Sequence, residues 1–246
     1  LPTKKQQDMR IKAQVPNIIT LLNLFSGCIA LIFAFHQDFK LAFFFVCLGI
    51  FLDFFDGFFA RLFKVSSPLG LQLDSLADMV TSGVVPGLVM YQLMNQALGF
   101  PSSDLPMMFF PFLGFIITLG SCYRLANFNI DTRQTDSFIG LPTPANALFI
   151  LSLPIILLDN NYEFVSQALG NEWVLLVISL LSAFMLNAEI PLFSLKVKSA
   201  SFAKNKLQII FLAVSLLLLL FFKALGIPLL IIFYILLSIV TNKKKA

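Results

Sequence analysis

Apolar residues fill this chain in long runs, and the polar breaks between them are short. The runs lie at 16–35, 41–62, 69–94, 107–127, 141–158, 173–193, 207–222 and 227–241. Each is long enough, or nearly so, for a helix that crosses a bilayer. Continuous apolarity with no alternation of period two argues for helices rather than strands. The breaks carry turn chemistry: Lys64, Val65, Ser66, Ser67 and Pro68 separate the second and third runs, with capping residues and a proline where a helical hairpin needs them. The expected fold is all-α and polytopic, with eight transmembrane helices. The chain divides into a basic juxtamembrane segment at 1–14, a six-helix core at 15–193, a polar link at 194–206 and a C-terminal hairpin with a basic tail at 207–246.

Composition agrees. Of 246 residues 58% are hydrophobic and 12% charged, about half the charged share of a soluble domain. All 17 Lys and Arg residues except Lys40 and Lys223 fall on the side of the N-terminus, whereas Asp38, Asp104, Asp159, Glu163 and Glu172 fall on the other. The positive-inside rule then places both termini in the cytoplasm. An even number of spans is needed to sort the charges this way. The net charge of +4 thus reports membrane orientation, not nucleic-acid binding. The basic start is expected to be topogenic or to lie on anionic headgroups, not to be a cleaved signal. Cys28, Cys47 and Cys122 all lie in apolar runs, and His36 is the sole histidine; disulfide, thiolate-metal and histidine chemistry are not expected.

Four acids interrupt the second and third runs: Asp53, Asp56, Asp74 and Asp78. A carboxylate at mid-bilayer costs about 2.5–3.5 kcal/mol on insertion scales, so the group needs compensation. Steps of three and four residues put Asp53, Asp56, Gly57, Ala60 and Lys64 on one face of one helix, and Gly70, Asp74 and Asp78 on one face of the next. The tight turn makes these helices antiparallel neighbours, so the carboxylates converge at the cytoplasmic end. An all-oxygen set suits hard cations, Mg²⁺ or Mn²⁺ with Ca²⁺ as a further candidate. Two such ions would serve chemistry on a phosphate. Gly57, Ala60 and Gly70 leave room for a flat nucleotide against the backbone. Arg61 offers a phosphate fork, and Lys64 either a point charge or a snorkelling side chain. Asn17, Thr20 and Asn23 form a polar stripe on the first helix, fit for interhelical hydrogen bonds or for lining the site. Arg124 and Arg133 bracket a cytoplasmic loop, either as topogenic charges or as ligands for a carboxylate or phosphate.

The string Asp53-x₂-Asp56-Gly57-x₂-Ala60-Arg61-x₈-Gly70-x₃-Asp74-x₃-Asp78 matches at every defined position the signature of the CDP-alcohol phosphotransferases, which the chain resembles. Within that family three stretches are similar to bacterial phosphatidylserine synthases: Pro16-Asn17-x-x-Thr20-x-x-Asn23; the surroundings of the aspartates through Pro86; and Tyr123 to Asn129 followed by Phe138 to Ala145. The resemblance implies a shared six-helix core, a two-cation site on the four aspartates and Asp78 as general base. It implies contacts from Gly57, Ala60, Arg61 and Gly70 to the CDP moiety, with Asn17, Thr20 and Lys64 as further candidates there. Arg124 and Arg133 are the candidates for the acceptor. The implied reaction moves a phosphatidyl group from CDP-diacylglycerol to L-serine and releases CMP. Glycerol 3-phosphate or an inositol phosphate is the alternative acceptor. A homodimer in the bacterial cytoplasmic membrane, surrounded by membrane lipids, is the family-level expectation. A divalent-cation transporter is the reading from another class; it calls for acids spread across the bilayer depth rather than gathered at one end.

Overall fold

The computed structural model describes residues 4–65, 67–99, 105–131, 139–159, 161–193 and 205–243. Among them every extended element is helical, apart from an isolated bridge between Ile139 and Pro191. The order is α1 (Lys4–Phe35), α2 (Phe39–Phe63), α3 (Pro68–Asp78), α4 (Val85–Ala97), α5 (Leu105–Phe109), α6 (Ile116–Ile130), α7 (Thr143–Asp159), α8 (Glu163–Leu169), α9 (Glu172–Asn187), α10 (Lys206–Phe222) and α11 (Gly226–Lys243).

The helices are of membrane character. Gln14–Phe35, Phe39–Phe63, Pro68–Ala97, Met107–Ile130 and Lys206–Thr241 are long and apolar enough to cross a bilayer. The pair α8 and α9, bent by 80° at its break, adds a sixth candidate. The expected count of eight differs from this for two reasons. Helix α7 has only 17 residues, short for a crossing. The stretch Lys206–Thr241 folds back on itself: Phe211 stacks on Phe233 with ring centroids 6.0 Å apart, and Gly226 sits against the backbone of Leu218. These contacts make α10 and α11 an antiparallel hairpin around the turn Lys223–Leu225.

Two boundaries also move. The third span does not end near 94 but continues to Ala97, passing through a π-helical turn at Met79–Val84. The sixth was expected to run to 193, yet its helix stops at Asn187. Beyond it Ala188 is extended, and Pro191 disfavours helical backbone at the residue before it. The segment 188–193 then docks on α11: the Tyr234 hydroxyl donates to the Phe193 carbonyl at 3.0 Å. Of the polar link, 194–204 lies outside the described residues.

The packed centre joins α1, α2, α4, α6, α7 and α9 through Ala30, Ala34, Val46, Val89, Met90, Met94, Ile117, Ala147, Ile150 and Leu175, all buried. Small residues bring backbones close, the packing mode expected where lipid gives apolar surface no reason to leave it. A β-carbon on Gly120 would meet the Ala183 backbone at 3.0 Å. This leaves one end of the bundle, where α1, α2 and α3 meet, comparatively open and polar.

Candidate active site

Local sequence builds the site's frame. Helix α2 ends at Lys64, whose left-handed backbone (φ 54°) turns the chain, and the Lys64 N–H closes on the carbonyls of Ala60 and Arg61. Two residues follow before α3 is capped: the Ser67 hydroxyl accepts the Gly70 N–H at 2.9 Å, with Pro68 as the first helical residue. The hairpin so formed lays the aspartate faces of α2 and α3 against the N-terminal half of the α1 span.

Carboxylate oxygens of Asp53, Asp56 and Asp74 lie within 4.8 Å of one another. Such a cluster can hold a metal ion. Two observations fit that use. The donor set is all oxygen, as hard divalent cations require, and Asp53 Oδ1 is buried without a hydrogen-bond partner. An orphaned carboxylate oxygen beside two further carboxylates is costly unless a cation completes it. Beside the cluster opens a cavity of about 230 Å³. Its walls come from Asn17 and Thr20 on α1, Asp56, Gly57 and Ala60 on α2, and Gly70 and Asp74 on α3. Position 70 is tight: a β-carbon there would stand 3.2 Å from Ser67 Oγ and 3.3 Å from Asn17 Oδ1, so these side chains would have to give by a few tenths of an ångström.

Asp78 is held differently. Asn23 donates from Nδ2 to Asp78 Oδ1 at 3.3 Å. The Asn23 amide is oriented in turn by Thr81, whose hydroxyl donates to Asn23 Oδ1 at 2.9 Å. Asn23 and Thr81 are fully buried, and Gly49 leaves them space, since a β-carbon at 49 would approach both to 2.7 Å. Thr81 belongs to the π-turn that begins directly after Asp78; such turns recur at functional sites because they re-aim side chains within a helix. On the other side of the cleft the Thr20 hydroxyl lies against Asp56 Oδ2 and the Pro16 carbonyl, with one proton to give them.

The remaining sequence candidates divide. Arg61 is exposed, its guanidinium folded back to within 3.4 Å of where a Gly57 β-carbon would be. Lys64 is exposed at the turn and is not among the cavity walls. Arg124 is buried, and its Nη1 donates to the carbonyls of Ile139 at 2.8 Å and Leu186 at 2.9 Å. It thereby ties α6 to the start of the α7 segment and to the end of α9, and is also absent from the cavity walls. Arg133 lies outside the described residues. Two groups had no place among the sequence-derived candidates. Thr81 sits one turn beyond Asp78, a spacing that could have flagged it. Asn129 exchanges hydrogen bonds with Ser75, Nδ2 to Oγ at 2.9 Å and Oγ to Oδ1 at 3.2 Å, beside Asp74. That contact crosses between helices 54 residues apart and had no local signal.

Residues 13–185 match the family model described as CDP-alcohol phosphatidyltransferase. The chain is similar to proteins named CDP-diacylglycerol–serine O-phosphatidyltransferase from three distant sources. It is 36% identical over 151 residues to that of Helicobacter pylori strain J99, covering 61% of this chain and 60% of the relative. With the Bacillus subtilis protein it shares 32% over 160 residues, 63% of this chain and 81% of the relative. With that of Saccharomyces cerevisiae it shares 34% over 151 residues, 55% and 51% of the two chains. The matched stretch thus spans about 60% of the Helicobacter protein's length. The family match holds the aspartate hairpin and every wall of the cleft, and the chain belongs to the CDP-alcohol phosphatidyltransferase family.

Proposed function

We propose that this protein transfers the phosphatidyl group of CDP-diacylglycerol to the hydroxyl of L-serine, yielding phosphatidylserine and CMP. The observation that carries the reading is the meeting of three carboxylates within 4.8 Å beside a cleft walled by small residues. Relatives named for serine as acceptor support the choice of alcohol. Asp53, Asp56 and Asp74 are the groups that would hold divalent cations, Mg²⁺ or Mn²⁺, with Asp78 at their edge. When bound, these ions neutralise the pyrophosphate and polarise its phosphorus–oxygen bonds.

The chain's own residues do the rest. Gly57, Ala60 and Gly70 leave a floor low enough for the cytidine, while Asn17 and Thr20 offer it polar edges. Arg61 meets the phosphate charge at the open end. Asp78, steadied by Asn23, accepts the proton of the serine hydroxyl. The serine oxygen then bonds to the phosphorus that carries diacylglycerol. The bond from that phosphorus to the bridging oxygen breaks, and CMP departs with the electron pair. No serine, cysteine or histidine is paired with a base for a covalent intermediate among the described residues, which favours direct displacement. Arg124 and Arg133 are the candidates for the serine carboxylate. Because Arg124 Nη1 is spent on two carbonyls, an Arg133→Ala variant is expected to raise the serine KM while leaving that for CDP-diacylglycerol unchanged. The protein is further proposed to be a homodimer of the bacterial cytoplasmic membrane, with the cleft and both termini inside.

The test is CMP release by purified protein from CDP-diacylglycerol with serine, glycerol 3-phosphate or inositol 1-phosphate, with and without Mg²⁺ or Mn²⁺. Release with serine and metal alone is expected. Equal release with glycerol 3-phosphate would reassign the acceptor, and release in the presence of a strong chelator would remove the cations from the mechanism.

A further inference from the structure

The end of the bundle remote from the aspartates contains a second cavity, of about 290 Å³. Helix α7 starts beside the Arg124 tie and runs away from it to Asp159, where it packs on the turn between α10 and α11. The cavity lies at that junction. Asp159, Asn161 and Tyr162 line one side, Lys223 and Phe222 the other, over the buried Ile156. A carboxylate and an ammonium, both exposed at the mouth, thus face one space, and no ion pair joins them among the described residues. Two opposite charges that share a cavity without pairing leave room for a ligand carrying both signs in the reverse order.

The backbone adds a second observation. Lys223 adopts φ 48° and ψ −120°, a conformation that glycine enters freely and other L-residues enter with strain. A glycine would make this turn without cost. The sequence instead spends strain on the residue that brings a cation to the cavity. The surroundings narrow the ligand further. Phe221 is 75% and Phe222 38% exposed, so the rim opens onto the lipid-facing surface of the hairpin, where aromatic side chains sit at headgroup level. The volume lies at the small end for ligand pockets, enough for a headgroup but not for acyl chains.

We propose that this cavity binds the headgroup of a zwitterionic phospholipid bearing a primary amine, from the leaflet opposite the catalytic cleft. Lys223 Nζ donates to the phosphate, Asp159 accepts from the ammonium, and Asn161 and Tyr162 complete the polar contacts. The acyl chains leave along the α10–α11 surface into the bilayer. The site is independent of the transfer reaction.

Native mass spectrometry of the detergent-purified protein with equimolar phosphatidylethanolamine, phosphatidylcholine and phosphatidylglycerol tests this. Phosphatidylethanolamine is expected to be retained about tenfold more than either of the others, the discrimination that one charge-assisted hydrogen bond supplies. Lys223→Gln and Asp159→Asn should each remove that preference and leave CMP release unchanged. Soluble phosphoethanolamine should compete, which distinguishes headgroup recognition from annular lipid. Equal retention of phosphatidylglycerol by the wild type would mean an anion site on lysine alone and would overturn the proposal. So would retention of the preference in both variants. Should a variant fail to fold, the selectivity of the wild type, with or without phosphoethanolamine, decides the matter alone.

Discussion

The junction of α1, α2 and α3 and the α10–α11 hairpin are both built from apolar helices, yet they bury opposite things. At the junction the groups removed from solvent and lipid are Thr20, Asn23, Asp56 and Thr81. In the hairpin they are Phe211, Ser215, Ile231, Tyr234 and Ser238; Tyr234 donates to the Phe193 carbonyl at 3.0 Å and Ser238 to the Tyr234 carbonyl at 2.7 Å, while the Ser215 hydroxyl is buried without a partner among the described residues. Hydrogen bonds in the hairpin close within helices or onto a neighbouring segment of chain. At the junction Thr81 reaches across to Asn23, and the bonds of Asn23 and Thr20 run from α1 to the carboxylates of Asp78 and Asp56. Buried polarity that is locally satisfied builds structure, whereas buried polarity that converges on an unsatisfied acid marks chemistry.

Substitutions separate the two regions in order of severity. Asp53→Asn or Asp74→Asn should take CMP release to background, a loss of roughly ten-thousandfold, because charge and ion binding go together; substantial residual turnover would make the junction as structural as the hairpin. Asp78→Asn should cost about a hundred- to a thousandfold in kcat with CDP-diacylglycerol binding largely intact, read by equilibrium dialysis of the labelled donor. Thr81→Val keeps shape but frees the Asn23 amide to turn. A loss of about tenfold in kcat, with little change in KM, is expected for a group acting through a ligand's partner, and Thr81→Ser should restore it. Gly70→Val closes the cleft wall and should raise the KM for CDP-diacylglycerol more than it lowers kcat. Last, Tyr234→Phe removes one hydrogen bond from the hairpin; it should cost about 1 kcal/mol of stability and nothing in CMP release. A catalytic effect there would dissolve the distinction.

Much of this was legible in the chain because its signals are local. The helix ends at Lys64 and Ser67 follow from turn and capping chemistry. The three- and four-residue steps of Asp53, Asp56, Gly57 and Ala60, and of Gly70 and Asp74, follow from helix geometry, and all but Asp53 line the cleft. Illegible features depend on contacts distant in sequence. The Asn129–Ser75 exchange needs the crossing of α6 and α3. The chain offered Arg124 as a topogenic charge or a ligand for a carboxylate or phosphate, and its buried tie to Ile139 and Leu186 had no signal there. The separate holding of Asp78 arises because a π-turn follows it, and nothing in Met79 to Val84 announces one. The number of spans asks more of hydropathy than it holds: it measures how apolar a run is, not whether a helix such as Thr143–Asp159 is long enough to cross.

That π-turn sets the phase of the long third span. An α-helix advances about 100° per residue, so one added residue in the turn uncouples the azimuth of Pro68–Asp78 from that of Val85–Ala97. The first half places Asp74 in the cleft wall and Asp78 on the Asn23 amide of α1; the second points Gln92 at the Phe35 carbonyl, 3.0 Å away, at the far end of α1. Deleting a single residue between 79 and 84 would leave each half well formed and rotate one against the other, so the two ends of the bundle could no longer be right at once.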